Sequence, residues 1–452
     1  MLEGIGEVSA VNIVVVLSIL VLTFGAIFTN KLNRTVCVVL GASALLVAGP
    51  LLGFYDEQKA FRSIYLSPIF IFISMSIFSL LLDDLKFFSY VAKKMIIRTN
   101  GEIRKIVCSI SIMTYVASLF VNNLTTILVI VPITLYLARG LKINPVPIAI
   151  AAIIASNIGG ASTMIGDFPN MLIASTTNLK FIDFMIFMFP ICLLELVFLL
   201  WYMRGTGMCP IDRGKGFVPD KEFFQSLKDD IEKMDIDWPA VKRVLWSLFG
   251  LIVAFNILPY FGIRPASIAL TGGFLVLAVE KKHTVNVLRK VSFSDIIFFM
   301  SLFIIVGATY YSGILGIISG GITNLSMGNK TLYLLLLMWS AALVTAFLNA
   351  GPSTAFFVPM AMQSYFIACG DISWWALSLG VLAGSSATIT GATAGIVTQT
   401  LFEEHASKAS SDETPRLITF SNYAKRGIPI ALMFLVISSI YITILLWSRG
   451  IQ

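Results

Sequence analysis

Apolar stretches long enough to cross a lipid bilayer recur along the whole chain, and they constrain the fold more than any other feature. A transmembrane helix needs about 20 mostly apolar residues, and such runs occupy 11–29, 35–53, 181–203 and 427–447. Of 452 residues, 57% are hydrophobic and 13% are charged, whereas soluble domains average about 25% charged residues. The sequence therefore predicts an all-α polytopic membrane protein.

Further apolar runs predict about ten full spans, arranged as two repeats. The first repeat, 1–203, also contains spans at 35–53 and 66–82, a pair of shorter runs within 106–138 and an interrupted span at 146–177. The second, 241–452, has the same order, with spans at 243–258, 266–280 and 294–312, a short pair within 331–368 and an interrupted span at 373–402. The charged segment 204–240 between them is predicted to be a cytoplasmic linker that contains an interfacial amphipathic helix.

Each short pair is separated by a polar turn, and we interpret each pair as a re-entrant hairpin. Non-helical backbone at membrane depth is tolerated where protein or a water-filled cavity surrounds it. With re-entrant hairpins, one orientation leaves six of the 32 Lys and Arg residues on one side, namely Lys59, Arg62, Lys180, Arg264, Lys330 and Arg449. By the positive-inside rule the other side is cytoplasmic, so we expect both termini outside, inverted repeats and hairpins that enter from opposite faces. A bacterial-type inner or plasma membrane is the expected location.

The hairpin turns and the interrupted spans carry related polar sequences in the two repeats. FVNNLTTILVIVP from Phe120 corresponds to FLNAGPSTAFFVP from Phe347, and SNIGGASTMIGDFPNMLI from Ser156 corresponds to GSSATITGATAGIV from Gly384. Inverted repeats with broken helices are typical of secondary transporters, which bind their substrates and ions at the breaks. The alternative is that these small residues only permit close helix packing. The candidate ion- or substrate-binding residues are Asn122, Asn123, Thr125, Thr126, Ser156, Asn157, Thr163, Gly166, Asp167, Asn170, Asn349, Ser353, Thr354, Ser385, Ser386, Thr388, Thr390, Gly391 and Gly395.

Asp167 is the most informative single residue, because it lies at the break of an apolar segment. A carboxylate at the centre of a membrane helix costs about 2.5–3.5 kcal/mol on insertion scales, so it should face a cavity, an ion or a partner. We interpret it as a cation ligand or proton carrier, with a helix cap as the alternative role. The corresponding residue of the second repeat is Ala392, so the predicted site is asymmetric. Glu195 also lies deep in a span, and a structural role is favoured for it over a proton relay.

At these motifs the chain resembles the ion-transporter superfamily. That superfamily includes NhaD-type sodium/proton antiporters, ArsB-type arsenite carriers, the melanosomal P protein and the divalent-anion/sodium symporters. The stretch from Ser156 to Asn170 is most similar to the antiporter, arsenite-carrier and P-protein branch, whereas Ser386 and Gly395 stand where that branch has asparagines. The resemblance implies a homodimer with an elevator-type mechanism.

Two binding sites are also implied by this resemblance. The first would be lined by Asn122, Asn123, Thr126, Gly166, Asp167 and Asn170, and the second by Asn349, Ser353, Ser386, Thr388, Gly391 and Gly395. Asn122, Asn123, Asp167 and Asn170 are the candidate sodium ligands.

The leading functional interpretation is a sodium(cation)/proton antiporter in which Asp167 is the carrier. Alternatives are efflux of arsenite or a related oxyacid, sodium-coupled transport of an organic anion and, more remotely, an ion channel. An anion carrier would want a positive group at its site, and none of the four motifs contains Lys or Arg. Channels build their pores from symmetric oligomers, whereas opposed hairpins within one chain favour alternating access.

Other classes of function lack support in the sequence. The net charge of +7 lies in short loops between spans, where it sets topology, so nucleic acid is not an expected partner. The five cysteines are scattered and the two histidines lie in charged loops, so we expect no cofactor and no metal site beyond the coupling sodium ion or proton. No HExxH or GxSxG motif occurs, and we do not expect an enzyme. The expected partners are a small ion or solute, the bilayer and a second copy of the chain.

Overall fold

The computed structural model describes residues 9–28, 32–99, 102–141, 143–205, 221–364, 369–407 and 417–450, and regular structure there is helical. In the first half the helices are α1 Ala10–Phe28, α2 Arg34–Leu51, α3 Glu57–Ser63, α4 Leu66–Asp84, α5 Phe87–Arg98, α6 Ile103–Ser118, α7 Asn123–Gly140, α8 Pro145–Ala161, α9 Phe168–Thr176, α10 Phe181–Phe187 and α11 Phe189–Gly205. After α12 Lys221–Glu232 come α13 Trp238–Ile257, α14 Pro265–Val279, α15 Thr284–Lys290, α16 Phe293–Tyr311, α17 Ile314–Leu325, α18 Lys330–Leu348, α19 Ala350–Ser364, α20 Ile372–Ala387, α21 Thr393–Ser407 and α22 Phe420–Ser448.

The two halves repeat helix for helix. Helices α3, α4 and α5 recur as α15, α16 and α17, and both ends of each helix are displaced by the same 227 residues, as from Leu66 to Phe293. The turn between α4 and α5 is left-handed at Lys86 (φ 58°), and its equivalent Gly313 is left-handed too (φ 85°). The two halves thus repeat in backbone conformation as well as in hydropathy. Because hydropathy alone does not specify single dihedral angles, this repeat reflects a duplicated unit.

Five crossings make up the first repeat: α1, α2, α4, the α8–α9 pair and the α10–α11 pair. An odd number of crossings starts the second repeat on the opposite side of the membrane, so the repeats are inverted. By length and composition, eight of the described helices could span a bilayer. They include one arm of each hairpin, namely α7 and α18. Both arms are longer than the short apolar runs predicted there, because the polar turns between the arms comprise only Leu119–Asn122 and Asn349.

The helices form two bundles that each combine both repeats. In the first, which we call the frame bundle (α1–α5 and α13–α17), α2 packs against α16 and α14 packs against α4. In the second, the hairpin bundle (α6–α11 and α18–α22), α6 packs on α8 as α18 packs on α20, and the two broken helices also contact each other. Each repeat's helices therefore bury their apolar faces against the other repeat, which makes the halves mutually dependent.

Glycines at equivalent positions let the broken helices approach the hairpins. A Cβ on Gly159 would lie 2.3 Å from the carbonyl oxygen of Tyr115, and one on Gly384 would lie 2.2 Å from that of Ala342. Tyr115 and Ala342 are themselves equivalent positions on α6 and α18. Because backbone carbonyls cannot move aside, only glycine permits this packing at either position.

Several details differ from the sequence prediction. The predicted span 181–203 is two helices that meet at a 46° bend beside Pro190, which lacks the N–H needed to continue the helical hydrogen bonds. Helices α5 and α17 are additional, since they are amphipathic or short rather than continuously apolar. Helix α12 provides the predicted helix of the 204–240 linker, and its Asp230 forms an ion pair of 2.9 Å with Lys93 of α5. Residues 206–220 of that linker lie outside the described residues.

Candidate functional site

Four helix N-termini converge on one cleft between the two bundles. The first residues of α7, α9, α19 and α21, together with the residue before each helix, line the cleft as 122–124, 167–169, 349–351 and 392–394. These are the two hairpin turns and the two breaks, so the four motifs that the sequence singles out meet at a single place. Helix N-termini carry partial positive charge and unpaired N–H groups, which favour anionic groups.

The frame bundle closes the cleft with aromatic side chains near the pseudo-symmetry axis. Phe72 of α4 and Phe299 of α16 are equivalent residues, and their rings pack edge to face with centroids 5.5 Å apart. Phe168, at the start of α9, stacks on Phe299 with centroids 3.6 Å apart and planes within 4°. This stack is a flat apolar contact between the two bundles, without interlocking hydrogen bonds.

Asp167 caps α9 and also faces the cleft. Its Oδ1 accepts a hydrogen bond of 2.8 Å from the backbone N–H of Phe168, so the alternative role as a cap is present. Its Oδ2 has no hydrogen-bond partner among the described residues. A Cβ built on Gly160 would lie 2.6 Å from Oδ1 of Asn123 and 2.9 Å from Cβ of Asp167, so these two polar side chains flank the same glycine. Asp167 can therefore serve as cap and cleft ligand at once.

An arginine lines the cleft, contrary to the expectation that no positive group is present. Arg34, the first residue of α2, donates from Nη2 to Oδ1 of Asp295 at 2.6 Å and from Nη1 to Oγ1 of Thr393 at 3.1 Å. Its guanidinium lies 5.3 Å from the ring centroid of Phe298. Asp295 is 5% exposed, although it is the second residue of the predicted span 294–312. Neither residue belongs to the four motifs, because both come from the frame bundle.

The sequence carries a weak signal for this pair. Arg34 directly precedes the predicted span 35–53 and Asp295 lies in the first turn of the predicted span 294–312, with opposite charges on the same predicted side of the membrane. The sequence does not reveal that α2 packs on α16, since Arg34 and Asp295 are far apart in the chain. Thr393 is likewise missed, because its motif partner in the first repeat is an apolar residue rather than a polar one.

Thr163 and Thr388 join each break to its hairpin in the same way. Thr163 Oγ1 donates to the carbonyl of Leu119 at 2.6 Å and accepts from the N–H of Gly166 at 3.1 Å. Thr388 Oγ1 donates to the carbonyl of Ala346 and accepts from the N–H of Gly391 at 3.1 Å. These predicted binding residues are thus used to fix the shape of the site.

Asn170 and Asn157 hold the two broken helices together. The Asn170 amide donates to the carbonyls of Ala161 and Thr163, both at 2.9 Å, and its oxygen accepts from Ser378 at 2.6 Å. Asn157 donates to the carbonyl of Ser385 at 3.0 Å. The structure therefore places Asn170, a predicted sodium ligand, behind the break with its amide fully used.

The other predicted residues form buried polar layers next to the cleft. Ser118 donates to Asn123 at 2.9 Å and lies 3.0 Å from the hydroxyl of Ser156, while Thr345 donates to Ser353 at 2.6 Å. The residues that lie behind the lining are Thr125, Thr126, Ser156, Gly166, Ser353, Thr354, Ser385, Ser386, Thr390, Gly391 and Gly395. Of the predicted set, Asn122, Asn123, Asp167 and Asn349 line the cleft itself.

Asn349 holds an unusual backbone conformation at the second hairpin turn. Its φ of 74° and ψ of 154° fall in a region that is essentially restricted to glycine. Its side-chain amide lies 3.4 Å from the carbonyl of Thr390. This turn places Asn349, Ala350 and Gly351 in the lining of the cleft.

Glu195 lies outside the cleft, between α11 and α22. It is fully buried, and its Oε1 accepts a hydrogen bond of 2.9 Å from Ser438. Oε2 is without a partner among the described residues. The favoured structural role accordingly remains a prediction.

A family model described as "Citrate transporter" (CitMHS) matches residues 24–380. This range includes α2 and extends to the middle of α20, the first helix of the second broken span. It contains Arg34, Asp167, Asp295 and both hairpins. The match supports the wider ion-transporter assignment. The antiporter and arsenite-carrier branch, suggested by the first break, stays a prediction.

Relatives match over almost the full length. The chain is 34% identical over 437 residues to the magnetosome protein MamN of Magnetospirillum gryphiswaldense, covering 95% of this chain and 99% of that protein. It is 29% identical to a 46 kDa membrane protein of Mycobacterium leprae, covering 96% and 98%. The YdaH transporter of Alcanivorax borkumensis, whose crystal structure has an unusual topology, shares the fold with a TM-score of 0.56 at 14% identity, covering 85% of this chain and 86% of that one.

Proposed function

Because the chain belongs to the CitMHS citrate transporter family, we propose that it is a secondary transporter of a small carboxylate anion of the citrate type. The observation that carries this proposal is the convergence of four helix N-termini with the Arg34 guanidinium on one cleft. Backbone N–H groups and a guanidinium are the donors that bind carboxylates well, the latter with bidentate geometry. The four motifs contain no positively charged residue, and Arg34 of the frame bundle supplies this charge to the cleft.

Asp167 provides the coupling site in this proposal. Its free Oδ2 and the side-chain oxygens of Asn122 and Asn123 supply ligands for sodium, or Oδ2 accepts a proton. A cation bound there would offset the repulsion between Asp167 and an incoming carboxylate. Anion and cation would therefore bind cooperatively, which is the basis of coupled transport.

An elevator motion of the hairpin bundle against the frame bundle fits the contacts between them. The cleft has a volume of about 40 Å³, room for an ion or a few water molecules, so a citrate-sized anion needs the bundles to separate. The Phe168–Phe299 stack can slide, and the Arg34–Thr393 hydrogen bond of 3.1 Å can exchange for one to the anion. In the proposed assembly, two copies pair as a homodimer in a bacterial inner membrane with both termini outside.

Counterflow in proteoliposomes tests the proposal. Vesicles loaded with unlabelled citrate should take up labelled citrate, whereas vesicles loaded with sulfate should not. In Asp167→Asn, exchange of citrate should persist while accumulation driven by a sodium or proton gradient is lost. Absence of counterflow with any di- or tricarboxylate would contradict the anion assignment.

A cation/proton antiporter is the second candidate, and the charges in the cleft favour it. Asp167 and Asp295 outnumber Arg34, so the lining side chains are net negative. A sodium pulse applied to vesicles that contain a pH dye distinguishes the two candidates: an antiporter responds without any carboxylate, whereas a carboxylate transporter responds when the anion is added.

A further inference from the structure

A second, larger pocket lies at the edge of the hairpin bundle, away from the cleft. It is formed where the end of α5, the start of α6 and the end of α11 meet, and its volume is about 530 Å³. Four basic side chains line it, namely Arg98, Arg104, Lys105 and Arg204. All four lie on the side of the membrane that the charge distribution predicts to be cytoplasmic.

Most of this positive charge is uncompensated. Lys105 pairs with Glu102 at 2.7 Å, one turn earlier on α6. Arg98, Arg104 and Arg204 have no ion pair or side-chain hydrogen bond to any described residue, and all three are exposed. The pocket thus combines three free guanidinium groups, and a guanidinium can bind a phosphate group with two hydrogen bonds.

An apolar surface continues from the pocket toward the membrane interior. On α6, Ile112 and Val116 follow Arg104 at helical spacing and are 40% and 48% exposed. On α11, Trp201 and Val197 precede Arg204 and are 67% and 57% exposed. Because α6 and α11 pack against each other and both line the pocket, these exposed apolar side chains extend from the pocket on two neighbouring helices, and we call them the apolar stripe. Trp201 is placed where tryptophan is enriched, at the boundary between headgroups and acyl chains.

We propose that this pocket binds an anionic phospholipid, with its phosphate held by Arg98, Arg104 and Arg204 and an acyl chain lying along the stripe. Basic pockets between transmembrane helices on the cytoplasmic side bind anionic headgroups, and the cytoplasmic leaflet supplies them. A free phosphate ion would satisfy the guanidinium groups but would leave the adjoining stripe without a matching ligand. The apolar stripe beside the basic pocket is therefore the reason for assigning a lipid.

The site is separate from the cleft and independent of the proposed transport function. Its lining residues belong to the end of α5 in the frame bundle and to α6 and α11 in the hairpin bundle, and none of them lines the cleft. A bound lipid would contact both bundles, so it would stabilise the relative position of the bundles in which the pocket is formed.

Lipid titration of the purified, full-length protein tests this assignment. We would measure binding of phosphatidylglycerol by native mass spectrometry in detergent, with phosphatidylcholine, glycerol 3-phosphate and inorganic phosphate as the other probes. Phosphatidylglycerol should bind at least tenfold more tightly than each of the other three. Equal binding of the two phospholipids, or of inorganic phosphate, would overturn the proposal.

A pair of variants localises the site. Arg104→Gln with Arg204→Gln should weaken phosphatidylglycerol binding about 30-fold, because each basic group near an anionic surface contributes roughly fivefold. Lys281→Gln with Lys282→Gln removes the same charge from an exposed loop on the same predicted side and should leave binding unchanged. Both variants alter exposed side chains, and the unfolding temperature without lipid checks that each is folded. Equal weakening by the two variants would show a general charge effect and overturn the assignment of this pocket.

Discussion

Arg34 Nη2 lies 2.6 Å from Asp295 Oδ1, which joins the start of α2 in the first repeat to the start of α16 in the second. The contact is reinforced by the hydroxyls of Thr35 and Ser294, 2.8 Å apart, on the same two helices. Because Arg34 also donates to Thr393 of the hairpin bundle, one side chain connects both bundles and both repeats. The Arg34–Asp295 pair therefore joins two helices of the frame bundle and also lines the cleft.

Removing one member of this pair should destabilise the protein more than removing both. Asp295 is nearly buried, and breaking a buried pair leaves an uncompensated charge at a cost of about 3–5 kcal/mol. We expect Arg34→Met to lower the unfolding temperature in detergent clearly, and Arg34→Met with Asp295→Leu to recover most of the loss. If the double variant is as unstable as the sum of the single variants, the two residues are not coupled.

The positions of the helices and of the four polar segments can be predicted from the sequence, because hydropathy and the placement of Asn, Gly and Pro determine local structure. Helix α4 and the predicted span 66–82 agree closely, and the candidate binding residues Asn122 and Asp167 both line the cleft. For the Arg34–Asp295 pair the sequence carries only a weak signal, since the pairing depends on which frame helix packs against which. For the same reason, residue type alone does not reveal that the Asn170 amide is used within the break.

Thr163 should be important for stability rather than for contact with the transported solute. Thr163→Val keeps the side-chain volume but leaves the Leu119 carbonyl and the Gly166 N–H unpaired, at about 1–3 kcal/mol for each group. We expect a lower midpoint of chemical unfolding with little change in substrate affinity at permissive temperature.

Thr398→Val is the matched control for this change. Thr398 is equally buried, but its hydroxyl only donates to the Ala394 carbonyl within its own helix. A Thr163→Val protein as stable as Thr398→Val would show that the bond between break and hairpin contributes little.

Glycine substitutions should reveal the symmetry of the hairpin bundle. Gly159→Ala and Gly384→Ala each place a methyl group against a backbone carbonyl, and overpacking of this kind costs about 1–3 kcal/mol. Gly320→Ala on α17, which has open space around it, should be neutral or slightly stabilising. Thermal unfolding of the three variants checks this order, and an unaffected Gly384→Ala protein would contradict the equivalence of the repeats.

Glu195→Gln should leave coupled transport intact. The substitution preserves the hydrogen bond that Ser438 donates, and the residue does not line the cleft. We expect gradient-driven accumulation to match that of wild type. Loss of accumulation with exchange retained would instead assign Glu195 to proton transfer, the alternative that the sequence left open.

Equilibrium binding of labelled citrate to the purified protein tests the central claim, that the cleft binds a carboxylate anion through Arg34 and the helix N-termini. Arg34→Gln with Asp295→Asn removes both charges while keeping hydrogen-bonding groups, and Arg62→Gln removes one exposed arginine elsewhere. If this claim holds, citrate binds to wild type and Arg62→Gln, and it binds at least about tenfold more weakly to the double variant, since a hydrogen bond to a charged group contributes about 1.5–3 kcal/mol. Unchanged citrate affinity in the double variant would contradict it.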